Sequence, residues 1–255
     1  MSAHIKNPLT IRFSEQNDTQ AICDFHRKNP HQNVDPRKPE IVEERARNGR
    51  VLLIEQHGAI KASSIGYDFA RASGNPNATW IEIGTVRSTI GGIFAFMIAS
   101  HVIHEFLNSP PEEKFVTNIH SRNARVGHKF QHEAGWKIFT PSDEITTACK
   151  ATKTAESRES PRIWFEATSN TLPFQARIVE NAMTGGIDGR TGKIDLDLSR
   201  FPLSATFRRQ VEELSHGRFG EMMEKAESLP LREARGLFEQ YLNGATYFPT
   251  MKSKL

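Results

Sequence analysis

A glycine-bearing turn between a strand and an apolar helix constrains the fold of this 255-residue chain more than any other feature. Residues 80–87 have the composition of a β-strand, and the apolar stretch 93–107 has the length of a core helix. Gly91 and Gly92 stand between them. The N–H groups of a helix's first turn lack partners within the helix, and glycine lets a ligand approach the backbone closely. The turn therefore predicts a phosphate or pyrophosphate site.

Three polar residues before the two glycines extend this prediction. Arg87 would bring a positive charge to the anion site, and Ser88 and Thr89 would bring hydroxyl donors. The dipole of the helix would act in the same direction, because its positive end lies at the N-terminus. We therefore expect the whole turn 87–92 to contact the anion.

Short strands and helices follow each other through the first 140 or so residues. The pattern predicts strands at 9–13, 50–55, 59–69, 80–87, 114–120 and 135–139, and helices around 22–25 and at 40–48, 93–107 and 123–134. The second and third strands form a hairpin, and a proline-rich loop separates the first two helices. This order predicts an α/β (α+β) domain.

A change of composition at 145–160 predicts how the chain is divided. Thr, Ser, Lys and Glu dominate there, so we expect a linker or mobile loop between a first domain, 1–144, and a C-terminal α/β extension of unknown role, 161–255. Within the extension the pattern predicts strands at 162–166 and 194–198, a glycine-rich hairpin at 185–192, and helices at 172–183, 203–214 and 230–242.

Charge, cysteine content and hydropathy exclude several classes of protein. The 33 basic and 30 acidic residues leave a net charge of +3, too small for a nucleic-acid coat. Cys23 and Cys149 are the only cysteines and form no CxxC pair, which excludes a disulfide scaffold and a thiolate zinc site. No apolar run is long enough to span a membrane, and the N-terminus lacks an apolar signal region. We expect a cytoplasmic protein with no membrane partner.

The strand, turn and helix at 80–107 resemble those of the GNAT superfamily of acyl-CoA-dependent acyltransferases. In that family an Arg/Gln-x-x-Gly-x-Gly/Ala turn after the fourth strand holds the pyrophosphate of coenzyme A. Arg87 and Gly92 match the first and last positions, Ile90 replaces the middle glycine, and Gly91 stands one place late.

A second resemblance lies further along the chain. The segment from Asn123 to Gly135 and Trp136 is similar to the family's Asn-containing helix, which ends in Gly-Phe or Gly-Trp before a strand. The likeness covers roughly residues 9–141. It does not extend to the segment from 161 onward.

The resemblance implies both a fold and an activity. The fold is a mixed, mostly antiparallel sheet whose fourth and fifth strands splay apart, leaving room for a pantetheine arm beside residues 83–86. The activity is transfer of an acyl group, acetyl by default, from acyl-CoA as co-substrate to an amine, with no metal. The residues implied for cofactor binding are Val86, Arg87, Ser88, Thr89, Gly91, Gly92 and Asn123.

The catalytic residues implied by the resemblance are less complete. Transfer to an amine needs a proton acceptor, which in the family is often a Glu on the fourth strand, and Glu82 lies there. The alternative is that the side chain of Glu82 simply faces solvent on one side of the sheet. The family's tyrosine acid, four residues before the Gly, is replaced by Gln131. Tyr67, His132 or His128 could protonate the leaving thiolate instead, or transfer could proceed without a dedicated acid.

Pairs of histidines suggest a metal site only weakly. His128 and His132 have the i, i+4 spacing of two zinc ligands, but the Glu of the metalloprotease motif is missing after the first. We expect both to be surface histidines. The same expectation applies to His101 and His104, because the inner face of their helix must be apolar.

The acceptor and the alternatives to this activity follow from weaker features. The basic stretch 27–50 would be a solvated surface, or would attract an acidic acceptor such as tRNA, DNA or a peptide. Nucleic acid is not favoured because aromatic residues for base stacking are missing, so we expect a small-molecule or peptide amine. The substituted turn leaves two alternatives: a non-CoA donor, such as aminoacyl-tRNA, or a non-catalytic acyl-CoA or partner-binding module. The two-part architecture offers surfaces for a homodimer.

Overall fold

The computed structural model describes residues 8–69, 80–108, 114–121, 123–132, 134–155, 161–167, 171–189, 192–197 and 199–201. The strands are β1 (Leu9–Phe13), β2 (Val51–Gln56), β3 (Ala59–Asp68), β4 (Trp80–Ser88), β5 (Lys114–His120), β6 (Lys137–Ile138), β7 (Arg162–Ala167), β8 (Ile187–Gly189), β9 (Gly192–Ile194) and β10 (Leu196–Asp197). The α-helices are α1 (Thr19–Lys28), α2 (Pro39–Arg47), α3 (Phe94–Asn108), α4 (Ala124–His132), α5 (Asp143–Ala151) and α6 (Leu172–Gly185). The strands and helices predicted for residues 9–139 are thus all present.

Eight of these strands form one mixed sheet, in the order β10-β1-β2-β3-β4-β5-β7-β6. Its neighbours are antiparallel except for two parallel pairs, β10 with β1 and β4 with β5. β8 and β9 pair separately, as the predicted glycine-rich hairpin. This is the mixed, mostly antiparallel α/β fold that the sequence predicts.

β4 and β5 splay apart halfway along their length. They pair from Trp80 opposite Lys114 to Glu82 opposite Val116, after which both strands continue unpaired with each other. A bulge in β4 accompanies the separation, since its register with β3 shifts between Ser63 and Ile65. A bulge increases the local twist of a strand and turns it away from its neighbour. The predicted splaying of the fourth and fifth strands is confirmed.

Helices cover both faces of the sheet. One face, called here the α1–α2 face, carries α1, α2 and α5, whose Ile22, Val42 and Ile145 pack in one apolar cluster. The other, called the α3 face, carries α3, α4 and α6, with Ile98 and Phe130 in its core. Because alternate residues of a strand point to opposite faces, each residue of β4 is committed to one set of helices.

The linker predicted at 145–160 was wrong for its first part, which is helix α5. Ser142 caps the helix by accepting a hydrogen bond from the N–H of Ile145 at 3.3 Å, and Ile145, Ala148 and Cys149 are buried. These three residues form a narrow apolar stripe of one large and two small side chains, which is difficult to recognise in a segment that is otherwise polar. Residues 156–160 lie outside the described ranges.

The sheet continues across the predicted boundary at 161. β7 lies between β5 and β6, and pairs with β5 from Phe115 opposite Ala167 to His120 opposite Arg162. α6 packs on α3, and β10 adds to the opposite edge of the sheet. Residues 161–197 therefore contribute to the same sheet and core as the first 144. The helices predicted at 203–214 and 230–242 lie outside the described residues.

His101 is buried, and its predicted place on the surface was wrong. Its Nδ1 lies 2.9 Å from Ser64 Oγ, and its Nε2 lies 3.4 Å from Glu105 Oε1, while the other carboxylate oxygen of Glu105, Oε2, is ion-paired with Arg50. Gly66 leaves space for the ring, since a Cβ there would lie 3.2 Å from Nε2. Polar partners on the neighbouring strand allow an inner helix face to hold an imidazole.

His104, one turn further along α3, is half-buried against the Phe13 ring, with 4.0 Å between ring centroids. Burial lowers its pKa to about 4. It was also expected at the surface, and aromatic packing explains its position.

None of the helices in the described part of the chain has the length and hydropathy that a membrane span needs.

Candidate active site

The separation of β4 and β5 opens a cleft through the sheet, called here the β4–β5 cleft. Its walls are residues 84–86 of β4 and 117–119 of β5. The loop 29–38, between α1 and α2, closes one end, and α3 and α4 border the other. With its open mouth the cleft has about 550 Å³ of empty space. It joins the two faces of the sheet at one point.

On the α3 face the cleft is apolar. Phe94 and Ile98 of α3 and Val126 and Phe130 of α4 line it, and the same four side chains line a neighbouring apolar cavity between the two helices. Trp136 also lines that cavity. The cleft and the cavity adjoin at these four side chains beside the first turn of α3, and together they are called here the groove.

The first turn of α3 presents free donors next to this groove. The N–H groups of Phe94, Ala95 and Phe96 have no acceptor among the described residues, whereas the N–H of Met97 reaches Ile93 O at 3.0 Å. Gly92, just before the helix, has φ of 91°, a conformation that favours glycine. These N–H groups keep the predicted capacity to bind an anion.

The two hydroxyl groups predicted to join this site are already bonded within the protein. Ser88 Oγ donates to Ile90 O at 2.7 Å and accepts from its N–H at 2.9 Å. The N–H and Oγ1 of Thr89 both donate to Lys61 O. The chain leaves the β3–β4 ladder here, and the two hydroxyls stabilise that exit; their role as anion donors stays a prediction.

Arg87 lies on the wrong side of the sheet to assist the turn. Its Nη1 donates to His26 O at 2.6 Å and to Asn29 O at 2.7 Å, at the C-terminal end of α1. Val86 packs on the α3 face, and the extra residue of the bulge between Gly84 and Arg87 shifts the alternation of β4, so that Arg87 lies on the α1–α2 face. The prediction that Arg87 adds its charge to the anion site was therefore wrong.

Glu82 lies at the polar end of the cleft, and only 1% of it is exposed. Its Oε1 accepts hydrogen bonds from Arg37 Nη2 at 2.8 Å and from Asn118 Nδ2 at 2.5 Å. Its Oε2 lies 4.0 Å from Cys149 Sγ. A solvent-facing Glu82, the alternative interpretation of the sequence, is excluded. The carboxylate keeps one oxygen, Oε2, without a charged partner among the described residues.

Arg37 supports this site from the loop 29–38. Burial would lower the pKa of its guanidinium, but the neighbouring groups together, with Glu82 first among them, raise it. The guanidinium lies 4.2 Å above the Tyr67 ring and also donates to Thr152 Oγ1. Arg37, like the buried Arg45, departs from the solvated surface predicted for 27–50. Its flanking prolines, which stiffen the loop, were the one signal for its role.

Tyr67 is fully buried beside the cleft and does not line it. Its hydroxyl donates to Thr85 Oγ1 at 2.9 Å, and burial raises its pKa to about 12. Thr85 does line the cleft and has φ of 49°, which is rare for a β-branched residue and typical of a strained functional position. Sequence reasoning missed Thr85, since a threonine within a strand carries no signal of this conformation.

The remaining predicted residues divide between the cleft and the surface. Asn123 lines the cleft, and its carbonyl accepts the N–H groups of Val126 and Gly127 at the start of α4. His128 is exposed on α4, and the side chain of His132 lies outside what the structure describes. Within the described ranges no three His, Cys, Asp or Glu side chains are grouped so as to hold a metal.

The splayed β4–β5 pair within this sheet, followed by the glycine turn and α3, gives the described chain a GNAT-type fold. No protein-family model matches the sequence, and no curated protein matches it. The fold is the level at which the chain resembles known proteins.

Several acetyltransferases of known structure are similar to the chain in fold. N-acetylglutamate synthase from Neisseria gonorrhoeae, solved with coenzyme A and N-acetyl-glutamate, matches with a TM-score of 0.45 and 14% identity over 62% of this chain. The match spans 35% of that synthase, about a third of its length. A GNAT-family acetyltransferase from Streptococcus pneumoniae matches with a TM-score of 0.43 and 13% identity, over 62% of this chain and 96% of the other. Diaminobutyrate acetyltransferase from Paenibacillus lautus was solved with its substrate and coenzyme A. It matches with a TM-score of 0.40 and 10% identity, over 63% of this chain and 94% of the other.

Proposed function

We propose that the protein transfers an acyl group from acyl-CoA to an amine. The observation that carries this proposal is the groove that runs from the free N–H groups of α3 through the sheet to the buried Glu82. A donor held in this groove would have its anionic end at the helix and its reactive end in a water-poor, polar recess. The acetyl group is the default.

The groove fits the parts of acyl-CoA in order. The pyrophosphate would accept hydrogen bonds from the first-turn N–H groups of α3, with about half an elementary charge from the helix dipole in place of Arg87. The pantetheine arm would lie along residues 84–86, where β4 has lost its neighbour, and against Phe94 and Ile98. Asn123, at the start of α4, would lie beside it.

Glu82 is the proposed proton acceptor for the amine. An amine attacks the thioester carbonyl through its lone pair, so its nitrogen must release a proton as the carbon–nitrogen bond forms and the thiolate leaves. Arg37 and Asn118 both bond to Oε1, which holds the carboxylate in place and leaves Oε2 to take that proton. Thr85, whose oxygen accepts from Tyr67, can donate its own hydrogen to a group in the cleft.

Acyl-CoA is expected to raise the midpoint of thermal unfolding, because a ligand that binds only the native state stabilises it by mass action. At a ligand concentration about 100 times its Kd the gain is about 2.7 kcal/mol. The measurement compares coenzyme A, acetyl-CoA and longer acyl-CoAs.

Gly92→Asp should abolish this shift of the unfolding midpoint. It places a carboxylate at the anion site, and its side chain disfavours the positive φ of this position. Gly58→Asp is the matched control: Gly58 has φ of 73° and lies in the β2–β3 turn. Unchanged shifts in Gly92→Asp would contradict the assignment of the turn, and no shift in the wild type would favour a non-CoA donor.

Glu82→Gln is expected to lower kcat by about 100-fold or more, the usual contribution of a positioned base. The amide keeps the shape of the side chain but cannot accept the proton. Release of coenzyme A thiol is measured with the best amine from a screen of small primary amines, and the acyl-CoA midpoint shift should persist. Glu40→Gln, at an exposed residue of α2 that does not line the cleft, is the control. Retention of full kcat in Glu82→Gln would exclude Glu82 as the base.

A further inference from the structure

A second cavity lies on the α1–α2 face, between α1, α2 and the loop 29–38, and is called here the α1–α2 pocket. It has about 890 Å³ of empty space with its open mouth. Gln20, Cys23 and His26 of α1 and Val42 of α2 contribute to its walls, and Arg87 of β4 lies at its base. The acyl-transfer chemistry proposed above does not use this pocket.

The guanidinium of Arg87 is a buried charge without a carboxylate partner among the described residues. Only 8% of the residue is exposed, and its two observed hydrogen bonds go to neutral carbonyl groups. Its Nε has no hydrogen-bond partner. Burial lowers its pKa, as expected for a cation that no neighbouring anion stabilises. A buried guanidinium is normally paired, because an unpaired one costs several kcal/mol.

The other residues of the pocket do not neutralise this charge from within. His26, beside Arg87, has its Nε2 at 2.8 Å from Ser63 Oγ, and burial together with the charge of Arg87 lowers its pKa to about 3, so it is neutral. Arg37 is paired with Glu82, and the exposed Arg27 is paired with Asp24. Among the described residues, Glu43 is the one carboxylate that lines the pocket, and it is exposed on α2. The pocket thus has a net positive base, supplied by Arg87.

Arg37 connects the α1–α2 pocket with the β4–β5 cleft, since it lines both. Arg87 and Glu82 lie five residues apart on the same strand, so at most about 17 Å separates their Cα atoms, and the bulge between them places both on the same face. A molecule with an anionic group at Arg87 could therefore extend past Arg37 and bring its other end to the cleft.

We propose that the α1–α2 pocket binds an anionic group of the acceptor through Arg87, so that the acceptor is an amine that also carries a carboxylate or a phosphate. This inference rests on the proposed acyl transfer, whose acceptor it defines. Arg87 acts as a binding residue and takes no part in the chemical step. A guanidinium suits this role because its planar N–H groups pair with two oxygens at once.

The test measures binding to Arg87 itself. Spectra of the ¹⁵N-labelled arginine Nε–H groups are recorded for the full chain saturated with coenzyme A, and the Arg87 signal is assigned by its loss in Arg87→Lys. The probes are 6-aminohexanoate, 6-aminohexyl phosphate and hexylamine, which share an amine and a six-carbon chain and differ in the anion. We expect at least one of the two anionic probes to shift the Arg87 signal and to bind at least tenfold more tightly than hexylamine. The tighter of the two distinguishes a carboxylate from a phosphate.

Variants separate the charge of Arg87 from its contribution to folding. Arg87→Gln should abolish the preference for the anionic probes, and Arg87→Lys should reduce it without abolishing it, since a lysine keeps the charge but loses the paired N–H groups. Arg47→Gln, an exposed residue of α2 outside the pocket, is the matched control and should change nothing. Circular dichroism and the unfolding midpoint check that each variant folds. If Arg87→Gln is unfolded, the lysine variant and the wild-type signal carry the test.

Equal binding of hexylamine and both anionic probes, or an unchanged preference in Arg87→Lys and Arg87→Gln, would overturn the inference. Its failure is distinct from failure of the proposed function. If acyl-CoA raises the unfolding midpoint and the anion makes no difference, acyl transfer stands and the acceptor class is wrong. If acyl-CoA gives no shift, acyl transfer itself fails, and with it the assignment of the pocket to an acceptor.

Discussion

Arg37→Met should lower the free energy of unfolding by about 3–5 kcal/mol near neutral pH, the usual cost of leaving one member of a buried ion pair alone. The side chains of Arg37 and Glu82 are 4% and 1% exposed, and 2.8 Å separates their charged atoms. Methionine fills most of the volume but leaves the Glu82 carboxylate without its cation and Thr152 Oγ1 without its donor. Urea denaturation measures the difference. An equal cost from an exposed pair would contradict this account.

The exposed pair of Arg27 and Asp24 is the matched control. Both side chains are more than a third exposed, so Arg27→Gln should change the free energy of unfolding by less than about 1 kcal/mol. The double variant Arg37→Met/Glu82→Gln should recover much of the loss, because it removes the unpaired carboxylate. A double-mutant cycle then isolates the interaction between the two residues. Additive losses would mean that the stability comes from the packing of Arg37 on Tyr67 and not from its charge.

Gly135→Ala should lower the free energy of unfolding by about 3 kcal/mol, from two separate causes. Gly135 has φ of 71°, which costs a residue with a Cβ about 1–2 kcal/mol. A Cβ there would lie 2.7 Å from Cδ2 of Phe174, so the ring of α6 must shift, and overpacking costs about 1–3 kcal/mol. Denaturant unfolding of the purified variant measures the sum.

Gly58→Ala separates these two causes. Its φ of 73° matches that of Gly135, but a Cβ at Gly58 would have no atom within 4 Å, so only the backbone cost applies. Phe174→Leu in the Gly135→Ala background should restore part of the difference by making room for the methyl group. Equal losses in Gly135→Ala and Gly58→Ala would contradict the close contact and, with it, the packing of α6 against the junction of α4 and β6.

The sequence predicts the backbone elements of this protein more completely than it predicts the partners of its side chains. Periodicity, capping and turn residues predicted the strands and helices of residues 9–139 and the glycine-rich hairpin. The opening between the fourth and fifth strands was implied only by the resemblance to a known family. The same reasoning missed α5, whose three buried residues form too narrow a stripe to stand out. It assigned β7 to a C-terminal extension and did not predict its place between β5 and β6, because strand pairing over long sequence distances leaves no local pattern.

By itself the sequence determined the order of elements and the glycine turn before α3, since both depend on local preferences of the backbone. Only the tertiary structure decided the partners of the polar side chains. Alternation along β4 and its bulge turned Arg87 away from the turn and Glu82 toward Arg37, a residue 45 positions away in the chain. The same packing buried His101 between Ser64 and Glu105. A buried charge or imidazole requires a partner, and which partner it finds depends on which segments the fold brings together.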